Sequence, residues 1–66
     1  MKNYQAAIDE FTKVILLEPD SFQAYHKRAT AKLLLGRKTE GCEDLVKAKE
    51  LGDPFIDALI EENCGN

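Results

Sequence analysis

The sequence is short of basic charge, of cysteine and of long apolar runs, and each shortage excludes a class of protein. Nine lysines and arginines against twelve acidic residues give a net charge of −3. Nucleic acid and anionic membranes both require a basic surface, so neither is expected as a partner. The longest apolar run, Val14 to Leu17, is far shorter than the ~20 residues of a membrane span. Asp9 and Glu10 lie where a signal peptide would be apolar, so none is expected.

Two further shortages bear on chemistry. The two cysteines and single histidine include neither a C-x2-C nor an H-x3-H pair, so no metal and no cofactor are expected. The adjacent carboxylates Glu43-Asp44 and Glu61-Glu62 diverge by about 100° around a helix, which does not suit an acid/base pair. The sequence has no glycine-rich stretch of the kind that forms a phosphate-binding loop. We therefore expect no enzyme.

The residues that are present predict one small all-α domain over residues 1–66. Hydrophobic content of 44% and charged content of 32% are typical of a globular chain. Apolar residues recur at helical spacing in four segments, and no segment alternates with the period of two that marks a strand. The predicted helices cover residues 3–18, 21–35, 38–51 and 54–64. Pro19 and Gly36 end the first two, and Asp53-Pro54 predicts the start of the fourth.

A shift of the chain by 34 residues aligns the first predicted helix with the third. Small residues then meet small ones, large meet large, and an acidic pair recurs. The aligned positions include Ala7 with Gly41, Phe11 with Leu45, Leu17 with Leu51, and Asp9-Glu10 with Glu43-Asp44. The repeat unit is therefore a helix pair, of a length found in α-helical repeat arrays.

This period and these residues resemble the tetratricopeptide repeat, whose pattern is W-x2-L-G-x2-Y…A-x3-F…P. The positions in the half repeat are Tyr4, Ala7, Phe11 and Pro19. Those in the full repeat are Tyr25, Arg28-Ala29, Lys32, Gly41 and Leu45, with Pro54 one residue beyond the proline position. The resemblance implies a helix-turn-helix solenoid of four helices in antiparallel hairpins, similar to the C-terminal end of a bacterial array. Residues 3–18 would be the second helix of a half repeat, residues 21–52 a full repeat and residues 54–64 a capping helix.

The resemblance also implies a non-catalytic interaction or scaffold module. In the family, the first helix of each repeat lines a groove that binds a protein or peptide. The corresponding groove residues here are Gln23, His26, Lys27, Thr30, Leu33 and Leu34. Some members of the family hold the C-terminal carboxylate of a peptide with basic and asparagine residues of the groove, an arrangement called a carboxylate clamp. Lys27 matches one basic residue of this clamp, but a complete clamp is not expected, because Gln23 stands where a second basic residue would be. The alternative for His26 and Lys27 is an ordinary solvated helix face.

Two pairs of residues are predicted to hold the helices together. Arg28 and Asp44 each lie about eight residues from the Gly36 turn, so antiparallel packing brings them level, and Arg28 is expected to pair with Asp44 or with Glu10. Cys42 and Cys64 lie at similar distances from the turn at Gly52, so a disulfide is one expectation. Two reduced cysteines in a cytoplasmic protein are the other. The resemblance favours the disulfide, because bacterial arrays often end in a helix that finishes with cysteine. Location is cytoplasmic by default and exported or periplasmic if the disulfide forms.

Alternatives to peptide binding remain. Met1 lies in mid-repeat, so we expect either a piece of a longer array or a homodimer that covers the first two helices. The three consecutive leucines from Leu33 to Leu35 fit both. A structural cap or self-association module without external ligand is therefore the main rival function. A small DNA-binding domain is a weaker rival, supported by Lys27, Arg28, Lys32, Arg37 and Lys38.

Overall fold

Four α-helices follow one another in the computed structural model, which describes residues 3–65. They are α1, Tyr4–Leu17; α2, Phe22–Leu34; α3, Lys38–Glu50; and α4, Asp57–Cys64. Each helix packs against the next one along the chain. The described residues contain no strand, so the predicted all-α class with four helices is confirmed. In the same range no helix has the length and apolar character needed to cross a membrane.

The ends of the helices follow from local sequence. The side chain of Asn3 accepts a hydrogen bond from the backbone N–H of Ala6, and Ser21 accepts one from Ala24. Both are N-cap contacts, which satisfy amides that the first turn of a helix leaves free. Gly36 has φ 82° and Gly52 has φ 103°. These left-handed conformations suit glycine and reverse the chain after α2 and α3.

The start of the fourth helix was predicted wrongly. It begins at Asp57, whereas Asp53-Pro54 predicted a start at Pro54. Asp53 Oδ1 accepts a hydrogen bond from Phe55 N at 2.9 Å, and Asp53 N donates to Ala48 O at 3.0 Å. The aspartate therefore closes a separate turn instead of capping a helix. As a result α4 has only 8 residues.

The core lies between α2, α3 and the segment that leads into α4. Ala29, Leu45, Ala48 and Ile56 have no exposed surface. α2 and α3 pack closely because the facing residues are small: a Cβ added to Gly41 would lie 2.9 Å from Cδ2 of Leu33. α1 adds Ile8 and Ile15 to the buried set, and it leaves Leu16 and Leu17 exposed.

Candidate partner-binding site

One row of α2 residues faces solvent along the length of the helix. Its members are spaced four, three and four residues apart, so they lie on one side of the helix. They are Gln23, Lys27, Thr30 and Leu34, all exposed. The buried residues of α2 are three alanines, Ala24, Ala29 and Ala31. We call the exposed row the α2 stripe; it contains four of the six residues predicted to line a groove.

Leu33, the fifth predicted residue, does not lie on this surface. It is half-buried, packs against the core cluster and has Gly41 of α3 as a close neighbour. The prediction for Leu33 is therefore corrected: it belongs to the interface between α2 and α3. Neighbouring positions on a helix differ by about 100° in direction, so Leu33 and Leu34 cannot both face the same surface.

His26, the sixth predicted residue, is directed toward the turn after α3. Its Nδ1 lies 2.9 Å from Oδ2 of Asp53. The Asp53 side chain is 3% exposed and that of His26 is 33% exposed. Because a carboxylate accepts, Nδ1 carries the proton in this contact. His26, predicted either to line the groove or to lie on a solvated helix face, therefore contacts the turn that follows α3. The sequence alone does not predict this pair, since the two residues are 27 positions apart and Asp53 before Pro54 is typical of a helix cap.

A small apolar pocket borders the first turns of the α2 stripe. Its volume is about 200 Å³. It is lined by Phe22, Gln23, His26, Lys27, Asp53 and Phe55. Phe55 is 81% exposed, so most of its ring surface is left in water. The pocket was not predicted, because it depends on the turn that Asp53 forms in place of a helix.

Behind the stripe, Asp44 of α3 binds two cations of α2. Arg28 contacts it through Nε to Oδ2 and through Nη2 to Oδ1, each at 2.8 Å. Lys32 Nζ lies 2.9 Å from Oδ2. Arg28 Nη1 also donates to the hydroxyl of Thr12 in α1 at 3.2 Å. The structure therefore brings Arg28 to Asp44, and the α1 residue that Arg28 contacts is Thr12 and not Glu10.

The environment of Asp44 favours its ionised form. Burial by itself would raise the pKa of Asp44, but hydrogen bonds from Arg28 and Lys32 outweigh burial and bring the pKa below its usual value. The hydrogen bond to Asp44 raises the pKa of Arg28. Lys32 occupies the position of the second aromatic residue in the repeat pattern, and its contact with Asp44 explains its place here. Arg28 also lies over the ring of Tyr25, 5.4 Å from the ring centre.

A disulfide joins Cys42 of α3 to Cys64 in the last turn of α4. The two Cα atoms are 5.8 Å apart, and the bond connects residues 22 positions apart. An open hollow of about 740 Å³ lies beside it, lined by both cysteines together with residues of α3 that include Val46. Among residues 3–65 no three potential metal ligands of the His, Cys, Asp or Glu type come together.

The helices pack in consecutive pairs, and α2, the first helix of the full repeat, has an exposed face. This arrangement defines a class of protein, the α-helical repeat modules. Within that class, the chain is similar to human tetratricopeptide repeat protein 13, with 41% identity over 51 residues. No family model and no solved structure matches. The fold and this similarity together identify the chain as tetratricopeptide-repeat-like, which confirms the resemblance found in the sequence.

The extent of the match sets limits on what it means. It covers 77% of this chain but 6% of the human protein. The chain therefore spans only a small part of the length of that protein. Because the relative is human, the match gives no support to a bacterial array in particular. Tetratricopeptide repeat proteins in general bind protein partners, and the match therefore supports a protein-interaction role in general.

Proposed function

We propose that the chain is a non-catalytic protein-interaction module that binds a peptide or protein segment through the α2 stripe. The observation that carries the proposal is the stripe itself. It presents an aliphatic side chain, Leu34 at 58% exposure, in line with the polar groups of Thr30, Lys27 and Gln23. A surface of this mixed kind suits a partner that brings both apolar and hydrogen-bonding groups.

The contacts behind the stripe support the proposal, because they hold α2 in place before any partner arrives. Asp44 fixes Arg28 and Lys32 on one side of α2, and Thr12 contacts Arg28 from α1. A partner would therefore meet an ordered helix. Binding to a pre-ordered surface loses less conformational entropy than binding to one that must first fold.

Selection of peptides from a random display library, followed by NMR mapping on the ¹⁵N-labelled protein, tests this function. The selected peptides should shift the amide signals of the α2 stripe and leave the exposed face of α1, such as Glu10 and Lys13, unchanged. A bulky Thr30→Arg substitution should weaken binding roughly tenfold or more, and Lys13→Ala should not. Peptides that shift only α1 or α4 would overturn the proposal.

Self-association is the second candidate, and a separate observation favours it. Leu16 and Leu17, side by side at the end of α1, are 77% and 83% exposed. Adjacent exposed leucines are typical of a surface that another protein or another copy covers. Size-exclusion chromatography with light scattering decides: a dimer that Leu16→Glu/Leu17→Glu dissociates supports this candidate. A wild-type monomer at high micromolar concentration refutes it.

We further propose that the chain works in an oxidising compartment. The disulfide between Cys42 and Cys64 supports this, since such bonds persist mainly in exported and secreted proteins. Thiol blocking in cells before lysis, followed by mass spectrometry, tests it. Both cysteines should be protected from the blocking reagent, and a fully blocked pair would contradict the proposal.

A further inference from the structure

We infer that the pocket between Phe22 and Phe55 receives one large apolar side chain of the bound segment, with an acidic residue of that segment next to Lys27. The inference rests on the proposed function of the α2 stripe and names the class of partner. That class is a peptide in which an aromatic or large aliphatic anchor has a carboxylate as its neighbour.

The dimensions and walls of the pocket suit a single side chain. Its volume of about 200 Å³ lies below the ~300–1,000 Å³ of typical small-molecule sites. Phe22, at the start of α2, is partly buried against the core and forms a fixed wall. Phe55 is 81% exposed and lines the pocket from the turn before α4. An apolar group in the pocket would cover surface that the protein leaves in water.

The pair of His26 and Asp53 connects the two segments that carry Phe22 and Phe55. Asp53 Oδ2 binds His26 of α2, and Asp53 Oδ1 binds the backbone N–H of Phe55, both at 2.9 Å. One nearly buried carboxylate therefore connects the turn that carries Phe55 to the helix that carries Phe22. The pocket is formed without a ligand, and this reduces the entropy that binding must overcome.

The charges around the pocket indicate what lies beside the anchor. Three of the lining residues are ionisable, and two of them, His26 and Asp53, contact each other. Lys27 is exposed and makes no ion pair with any residue of the described range 3–65. A carboxylate of the partner would complement it. At an exposed site such a pair adds selectivity more than affinity.

The test uses short blocked peptides on one framework, N-acetyl-Gly-Ser-Phe-Asp-Gly-Ser-amide and three relatives. Two relatives replace the phenylalanine by leucine or alanine, and the third replaces the aspartate by lysine. In NMR titrations the phenylalanine and leucine peptides should shift the amides of Phe22, His26 and Phe55 at millimolar concentration. The alanine peptide should bind roughly tenfold more weakly or not at all. Absence of shifts at Phe22 and Phe55 with all four peptides overturns the inference.

Variants of the protein complete the test. Phe55→Ala should weaken binding of the phenylalanine peptide roughly tenfold, and folding should be unaffected because Phe55 is so exposed. Val46→Ala is the control: it removes methyl groups from an exposed apolar side chain of α3, 44% exposed, and should change nothing. Lys27→Glu should reverse the preference, so that the lysine peptide binds better than the aspartate peptide. An unchanged preference overturns the acidic part of the inference.

The inference and the proposed function can fail separately. Library-selected peptides that shift the α2 stripe, but bind Phe55→Ala as tightly as the wild type, would disprove the pocket inference and leave the proposed function in place. If neither selected nor designed peptides shift any residue of α2, both are wrong.

Discussion

Asp44 is 5% exposed and has two cations of α2 as neighbours. Arg28 binds both of its oxygens and Lys32 binds one. Bidentate pairing with arginine gives strong, directional hydrogen bonds. Loss of one partner from such a group is costly because charge then remains in a poorly solvated site. The three residues are therefore not equivalent, and their substitutions should have different effects on stability.

We predict that Asp44→Asn is more destabilising than Arg28→Met. The asparagine leaves two largely buried cations without a carboxylate, which should lower the free energy of unfolding by ~3–5 kcal/mol. After Arg28→Met, Lys32 still neutralises Asp44, so the loss should be nearer ~1–3 kcal/mol. Urea denaturation at neutral pH with the disulfide intact measures both. If Arg28→Met is the more costly, or leaves stability unchanged, the cluster does not act as described.

The lowered pKa of Asp44 predicts how stability depends on pH. Its pKa in the folded state lies below the unfolded value of ~3.9. The stabilisation is therefore complete above about pH 4 and is lost as pH falls through the folded-state pKa. A carboxyl-carbon NMR titration should show Asp44 protonating below the usual aspartate range. An ordinary or raised value would contradict the arrangement found around Asp44.

Sequence reasoning located part of this cluster. The distances of Arg28 and Asp44 from Gly36 place them at the same level of a hairpin, so their contact could be predicted from register alone. The contact of Lys32 with Asp44 could not, because it depends on how a long, flexible side chain bends toward α3. The contact of His26 with Asp53 could not be predicted either. It depends on the path of the turn after α3, and helix spacing does not predict that path.

At the scale of elements, α4 depends on α3. It has 8 residues, none of them buried, and α3 is the helix it packs against. An isolated helix of fewer than ~12 residues is not stable in water. The contacts that hold it are the partly buried Leu59 and Ile60, the buried Ile56 before it, and the disulfide at its far end.

We therefore predict that removal of the disulfide by Cys42→Ser/Cys64→Ser lowers the free energy of unfolding by roughly 3 kcal/mol, the amount expected for a closed loop of this length. In this variant the amides of α4 should also exchange with solvent faster than those of α2 and α3. Denaturation and hydrogen exchange measure the two effects. Equal protection of α4 with and without the disulfide would show that packing alone holds this helix.

The number and type of the helices could be read from the sequence, since apolar period and turn residues agree along the chain. The 34-residue shift also showed which helices correspond. The start of α4 could not be read in the same way. Asp53-Pro54 has the composition of a helix start, but the Asp53 carboxylate is engaged by His26 and by its own turn. A tertiary contact here overrides a local signal.

At the scale of the molecule, α2 has two different sides. Its inner side binds α1 through Thr12 and α3 through Asp44, which fixes the helix in place. Its outer side is the α2 stripe, with the Phe22–Phe55 pocket at one end. The division between support and exposed surface is the physical basis of the proposed function, and it separates substitutions that should alter stability from those that should alter binding.

The affinity of one library-selected peptide for two matched double variants, measured by isothermal titration calorimetry, tests this division most directly. Lys27→Ala/Thr30→Ala removes side chains from the α2 stripe, and Lys13→Ala/Leu17→Ala removes exposed side chains from α1. We expect the first to weaken binding roughly tenfold or more and the second to leave it unchanged, with both proteins as stable as the wild type. Unchanged affinity in the first variant, or equal loss in both, would contradict the assignment of the partner surface to α2.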